Sequence, residues 1–368
     1  MWCILAPSIQ SSVYQLFIIL QMWCILAPSI QSSVNQLFII LQMWCILAPS
    51  IQSSVNQLFI ILQMWCTLAP SIQSSVNQLF IILQMWCILA PSNQALLISS
   101  SLSYRLVYIG TIHPEHHKLT LLFLNHGKHV LVEKPAAMNL KQLKEMTSLA
   151  KEKKLFFMEA VWSRYFPLYE RLVQELASGT IGKLKLLSIQ FALPLWDVPR
   201  IRDKALGGGA LLDIGVYPLN IAVFLFGIPD KILTEGTMMD SGVDEAVCVI
   251  FKYNDGRMAQ LNCSVAYKGV NEVVIFGTKG QIKVHEPMWC PTEMTLPSGK
   301  VTFELPKTSA KFNFHNSAGM VYEAVHVRKC IKEGKLESPY VSMDHSEYVM
   351  GLVDQIKKDI GLRYDVDD

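Results

Sequence analysis

Nothing before Arg105 carries a charge and nothing before Gly110 is a glycine, which limits the front of this chain more than any other feature. A 21-residue block, MWCILAPSIQSSVNQLFIILQ or a near copy, begins at Met1, Met22, Met43 and Met64, and a fifth copy starts at Met85 and decays. The copies differ at Tyr14 against Asn35, Asn56 and Asn77, and at Thr67 against isoleucine. Near-identity of this kind points to tandem duplication at the DNA level. Three heptads make 21 residues, but a solid apolar run followed by a polar one is not the spaced stripe of a coiled coil. The period lies in the solenoid range without matching a known repeat pattern. Each apolar run is about a dozen residues, short of the roughly 20 that cross a bilayer, and no Lys or Arg flanks it. Residues 1–7 lack the basic start of a secretory signal. Residues 1–104 therefore read as a segment without evolved function, with membrane association as the alternative. Blocks such as LFIIL are prone to aggregate.

All 32 Lys and Arg, all 30 Asp and Glu, all nine His and all 20 Gly lie from Arg105 onward. That part has the composition of an ordinary soluble domain. A net charge of +2 with no basic patch argues against a nucleic-acid partner. Cys248, Cys263, Cys290 and Cys330 form no CxxC pair, so free thiols in a reducing, cytoplasmic setting are expected.

Here strand and helix alternate. RLVYIG reads as a strand, and TIHPEHHKL opens a helix that closes at Gly127. KHVLVEKP is the next strand. Asn139 then caps a long amphipathic helix with a lysine-rich end, and KLFFMEAVW is a third strand. This βαβ spacing predicts a parallel sheet, whose ligands bind beyond the carboxyl ends of the strands. Those ends bring together Thr111 and His113, then Glu133, Lys134 and Pro135, then Glu159, Trp162 and Arg164.

LGGGALLDIGVYPLNIAVFLFG leads from three glycines into a helix ending at Gly227. Asp213 and Tyr217, four apart, share a face, and Pro218 disturbs the helix just beyond them. The glycines fit an anion cradle or close backbone packing equally well. From Pro229 the segments KILTEGTMM, EAVCVIFKY, MAQLNCSVAY, VVIFGT, QIKVHE and KVTFEL read as strands. YNDGR, GTKGQ and PSGK are hairpin turns between them. Two helices close the chain. The predicted fold class is α/β: a truncated Rossmann-like parallel sheet followed by an α+β domain with an open antiparallel sheet. The domains are 1–104 (repeats), 105–165 (nucleotide-binding half) and 166–368 (substrate and dimerisation domain).

The stretches VYIGTIHPEHH, HVLVEKP, FMEAVWSRYFP, GGGALLDIGVY, SGVDEAV, GTKGQIKV, PMWCPTEM and FNFHNSAGMVYEAVHV, in this order, resemble the Gfo/Idh/MocA oxidoreductase family over about the last 260 residues. The resemblance implies NADP-dependent oxidation of trans-dihydrodiols of aromatic hydrocarbons or of aldopyranoses such as D-xylose, with NAD as the alternative cofactor. Taking a proton from a hydroxyl needs a base, and a free tyrosine with a pKa of about 10 is a poor one unless a cation lowers it. The resemblance implies Tyr217 as that acid/base and Lys134 as its cation beside the nicotinamide ribose; Asp213, on the same face as Tyr217, reads as orienting the substrate or this pair, or as an ordinary helix-start carboxylate. Thr111, His113, Glu133 and Pro135 fall on the cofactor side. Trp162, Arg164, Trp289 and Phe314 fall on the substrate side. The histidines of HPEHH are expected in a surface loop, with no metal. A homodimer through the open sheet face is implied by analogy. In this family the chain begins with a strand, a glycine-rich turn and a helix that hold the dinucleotide phosphates. Here the repeats stand in that place. Two readings follow: a dehydrogenase whose N-terminal sequence has been displaced, or a non-catalytic remnant serving as a binding or dimerisation module.

Overall fold

The computed structural model describes residues 105–367 except 310, 311 and 313. The expectations for residues 1–104, including the displaced dinucleotide turn, lie outside the described residues.

The first sheet is built as the alternation predicts. Strand β1 (Leu106–Ile109), helix α1 (Glu115–Asn125), β2 (His129–Glu133), α2 (Leu140–Lys153) and β3 (Phe157–Ala160) follow in turn. The strands pair in parallel in the order β1-β2-β3. Helix α1 buries Leu119, Phe123 and Leu124, and α2 buries Leu143, Met146 and Ala150, the three- and four-residue spacings of an apolar stripe. Gly127, at φ 69°, turns the chain out of α1. The Asn139 side chain accepts from Gln142 N at 2.9 Å, capping α2. All four residues of β3 are buried, as a strand covered on both faces requires.

Helix α3 (Pro167–Ala177) then leads to β4 (Leu184–Ala192), neither of which the sequence reading singled out. A π-helical turn, Leu211–Gly215, runs into α4 (Val216–Phe226). The irregularity expected around Pro218 therefore falls one turn ahead of it, against the carbonyls that its ring would crowd. Within Lys204–Phe226 an 18-residue window of mean hydropathy 1.7 has the length and apolarity of a membrane span, yet 89% of that window is buried within the fold.

Strands β5 (Lys231–Met238), β6 (Asp244–Lys252), β7 (Met258–Ser264), β8 (Val273–Gly277), β9 (Gly280–Val284), β10 (Glu293–Leu296) and β11 (Gly299–Thr302) complete an eight-stranded sheet. Its order is β11-β10-β9-β8-β4-β7-β6-β5. The expected open antiparallel sheet is in fact mixed, because β4 lies parallel to β7 while its other neighbour, β8, is antiparallel. The cause is that β4, laid down first, is flanked by two strands that arrive later in the chain, so no hairpin sets its direction. The hairpins at YNDGR, GTKGQ and PSGK form as read. In β6, Val247, Val249 and Phe251 are buried while Cys248, Ile250 and Lys252 are exposed, the alternation of a half-covered sheet. Helix α4 packs on β4 and β7. Helices α5 (Met320–Lys332) and α6 (Met343–Ile360) close the fold, with α6 reaching α2, β3, α4 and β5.

Candidate active site

The turn after β2 is held from both flanking strands. Glu133 accepts a hydrogen bond from the Tyr108 hydroxyl of β1 through Oε1 and from Lys134 N at 3.2 Å through Oε2. Buried Glu159 at the end of β3 accepts from Ala136 N at 3.0 Å. From α1, the His116 ring lies 2.8 Å from the Pro135 carbonyl and 3.1 Å from that of Thr111. Burial pushes the His116 pKa down, so as a neutral imidazole it donates to one of these carbonyls. Together these contacts aim the Lys134 side chain away from its own sheet.

Its target is the π-turn. Lys134 Nζ donates to the backbone carbonyl of Asp213 at 2.5 Å and lies 3.7 Å from its carboxylate Oδ1. Arg200, from the one-turn helix Pro199–Arg202, donates to Asp213 through Nη1 at 2.7 Å and Nη2 at 3.4 Å. Burial pushes the Asp213 carboxyl up, but Lys134 and Arg200 outweigh it and hold the group below the usual aspartate range. The result is a buried carboxylate between two cations.

Tyr217 stands one turn along. Its hydroxyl accepts from the Trp162 indole nitrogen at 2.9 Å, and Lys134 Nζ sits 5.1 Å from its ring centroid. Phe191 of β4 meets the ring edge-on at 5.5 Å, and Trp289 stacks on Phe191 at 4.3 Å. The lysine thus faces the ring and is committed to Asp213. The expected lowering of the phenol is not found. Burial, then Glu133 and Asp213, push Tyr217 well above an ordinary tyrosine, so it holds its proton. The donor at the phenolic oxygen is the indole of Trp162.

The glycines before the π-turn serve packing. Gly208 N donates to the Asp203 carbonyl at 3.0 Å and Gly209 N to that of Ile201 at 2.8 Å, so these N–H groups are already used. A Cβ on Gly208 would run into the Ile201 carbonyl. Asp244, fully buried, accepts from Leu211 N at 2.6 Å and fixes the start of the π-turn. Burial pushes its carboxyl up to about 7.

The structure brings Lys134, Asp213, Tyr217, Trp162 and Trp289 into one group, with Glu133, Pro135, Thr111 and His113 along its edge. His113 donates from Nδ1 to the Gly207 carbonyl at 2.9 Å, and burial pushes its pKa down to about 3. The expected surface loop is corrected here. His113 and His116 are buried, because the first turn of α1 packs beneath the Lys134 turn, while His117 pairs with Glu145 at 2.8 Å. One expected substrate residue, Arg164, stands elsewhere. Arg164 lies on Phe224 and donates to the Tyr340 carbonyl at 2.9 Å. On the 3-10 turn Trp162–Tyr165 a spacing of two carries it to a different side from Trp162. Phe314 is 82% exposed and precedes His315 and Asn316, which bond Cys290 next to Trp289. The sequence reading missed Arg200, Tyr108, Phe191 and Asp244. Tyr108 and Asp244 lie inside the quoted stretches VYIGTIHPEHH and SGVDEAV without being singled out there, no motif marks Arg200, and β4, with its alternating LKLLSIQFA, offered the signal for Phe191.

Residues 88–161 match the oxidoreductase family with an NAD-binding Rossmann fold, and residues 169–283 match the GFO/IDH/MocA C-terminal domain. The trans-1,2-dihydrobenzene-1,2-diol dehydrogenase of Danio rerio is 42% identical over 264 residues, covering 71% of this chain and 79% of the relative. The enzyme of the same name from Homo sapiens is 39% identical over 267 residues, covering 72% and 80%. In fold the chain is similar to the aldose-aldose oxidoreductase of Caulobacter crescentus. The TM-score is 0.62 at 20% identity, over 73% of this chain and 80% of that one.

Proposed function

The chain belongs to the Gfo/Idh/MocA oxidoreductases, NAD(P)-dependent dehydrogenases that act on CH–OH groups, and on that premise we propose that it oxidises trans-dihydrodiols of aromatic hydrocarbons or aldopyranoses such as D-xylose with NADP. The observation that carries the reading is one cluster in which Trp162 donates to the buried Tyr217 hydroxyl while Lys134 and Arg200 clamp the buried Asp213. When bound, NADP supplies the carbon that accepts hydride. Thr111 fits such a ligand, since its Oγ1 is buried at the carboxyl end of β1 without a hydrogen-bond partner. Thr111, Lys134 and Pro135 would hold the nicotinamide end, with His113 and Glu133 fixing the turns beneath.

In reduction the Tyr217 phenol gives its proton to the forming alkoxide; in oxidation the hydroxyl proton goes to Tyr217 once the phenol has lost its own proton to solvent. Its raised pKa keeps it protonated near neutral pH, so the rate of oxidation, which needs the phenolate, rises as pH increases. Trp162 stabilises the phenolate through its N–H. Asp213 keeps Lys134 beside the ring face instead of in solvent. The stacked pair Phe191 and Trp289 offers an apolar wall of the size of an aromatic diol. The exposed residues Leu233, Ile250 and Met258 on the eight-stranded sheet support a homodimer. The free thiols among the described residues accord with a reducing cytoplasm.

A second reading has one observation behind it. No Gly, Lys or Arg precedes Arg105 to hold the cofactor phosphates, so the chain would be a non-catalytic binding or dimerisation module. Turnover decides between them. Purified full-length protein with NADP and trans-dihydrobenzenediol or D-xylose is followed at 340 nm. Formation of NADPH that Tyr217→Phe abolishes supports the dehydrogenase reading, and no turnover by soluble, folded protein overturns it.

A further inference from the structure

Away from the catalytic group, a cavity of about 400 Å³ opens where the start of α2 meets the end of α6 and the terminal 3-10 turn Asp365–Asp367. Its volume lies within the roughly 300–1,000 Å³ of small-molecule sites and far above the ~30 Å³ of one water. Lys141, Lys357, Lys358 and Arg363 line it together with Asp354 and Asp367, two more cations than carboxylates.

The two carboxylates hold the wall. Asp354 accepts from Leu140 N at 2.9 Å and lies 3.0 Å from Lys357 Nζ. Asp367 accepts from Lys357 Nζ at 2.8 Å through Oδ1 and from Tyr364 N at 2.9 Å through Oδ2. Lys357 also donates to the Met138 carbonyl at 2.9 Å, so this buried ammonium is committed to the wall as well. The first N–H groups of α2 are in use, since Asn139 and Asp354 accept from Gln142 N and Leu140 N. Lys141 and Lys358 are different. Both are exposed, and neither has an ion pair among the described residues. Lys358, in the last turn of α6, complements the negative end of its helix. Lys141 does the opposite. It stands in the first turn of α2, which holds no acidic residue, against the positive end of that helix. A cation placed there, at the rim of a cavity already rich in cations, carries a local cost that a negative ligand removes.

We propose that this cavity binds a phosphate monoester with a sugar-sized body, held through its phosphate by Lys141 and Lys358. The excess of two cations matches the charge of a phosphate monoester, close to a dianion near neutral pH. The lysine ammonium is a point charge suited to phosphate oxygens. The volume has room for a pentose or hexose beside the phosphate, where a bare anion would leave most of it to water, and Leu362 and Val366 add apolar contact for that body. None of these residues belongs to the catalytic group, so the site stands independently of turnover.

The test is calorimetric titration of the full chain, without NADP, with D-ribose 5-phosphate, D-ribose and inorganic phosphate in turn. Saturable binding of the ester is expected, weakened at least about tenfold when Lys141→Gln and Lys358→Gln are combined. Inorganic phosphate is expected to bind at least about tenfold more weakly than the ester, and ribose to give no heat of binding. No saturable binding of the ester to the folded chain overturns the proposal. So does ester binding that the double variant leaves unchanged, because the ligand then sits elsewhere. Ribose binding as tightly as its ester overturns the role of the phosphate, and inorganic phosphate binding as tightly as the ester overturns the role of the sugar body. Should the double variant fail to fold, the single variants Lys141→Gln and Lys358→Gln locate the site in the same way.

Discussion

Replacing Asp213 with Asn keeps the shape of the side chain and removes the one negative charge between Lys134 and Arg200. Breaking a buried ion pair costs about 3–5 kcal/mol when the surviving charge stays buried. Here the Lys134 side chain is 15% exposed but that of Arg200 is 47% exposed, so solvent screens half of the clamp. The amide oxygen of Asn still accepts from Arg200, and the Lys134 bond to the backbone carbonyl survives. A loss of about 2 kcal/mol follows, or roughly 4–8 °C in melting temperature. The pH dependence has a defined sign. The folded carboxyl lies below its unfolded value, so its contribution is fully present above about pH 4 and fades as pH falls through the folded pKa. Unfolding of the wild type and Asp213→Asn is compared from pH 7 down to pH 3. The gap should be full at pH 7 and shrink below pH 4. A gap of equal size across that range, or under about 0.5 kcal/mol at pH 7, refutes the claim that a clamped carboxylate supports this turn.

Trp162→Phe keeps an aromatic side chain but loses the N–H at the Tyr217 oxygen, worth about 1 kcal/mol. Diol oxidation should fall about fivefold and its pH profile should move to higher pH, read from kcat/KM against pH. Asp244 holds its proton up to about pH 7 in the fold, so its burial lowers stability progressively as pH rises from about 4 to 7 and by a constant amount above. Asp244→Asn keeps an acceptor for Leu211 N and should be more stable than the wild type at pH 8, on the order of 2 kcal/mol, with no gain at pH 4, in denaturant titrations. Gly208→Ala forces a methyl against the Ile201 carbonyl and should cost about 1–3 kcal/mol, measured the same way.

The elements were legible where local chemistry decides them. Asn139 and Gly127 announce the ends of their helices, and ND-G and K-G turns announce hairpins, because caps and turns depend on residues a few positions apart. Lys134, Asp213 and Tyr217 were legible as candidates because strand ends and a four-residue helical spacing place them predictably. Their relations were not. The lysine's choice of Asp213 over the phenol depends on how the π-turn meets the Lys134 turn, 79 residues away in the chain. Arg200 sits on a single helical turn with no periodic pattern to mark it. The burial of His113 and His116 likewise follows from a turn packed above them. The parallel pairing of β4 with β7 arises from strand insertion late in the chain, which alternation within β4 does not encode.

Lys134 and Thr111 are proposed to form the edge of a working nicotinamide site in this chain. Titration of the full-length protein with NADPH, followed by nicotinamide fluorescence, tests it most directly. Saturable enhancement that Lys134→Met weakens at least tenfold is the predicted result. A signal that rises only linearly with NADPH, or one indifferent to Lys134→Met, contradicts it.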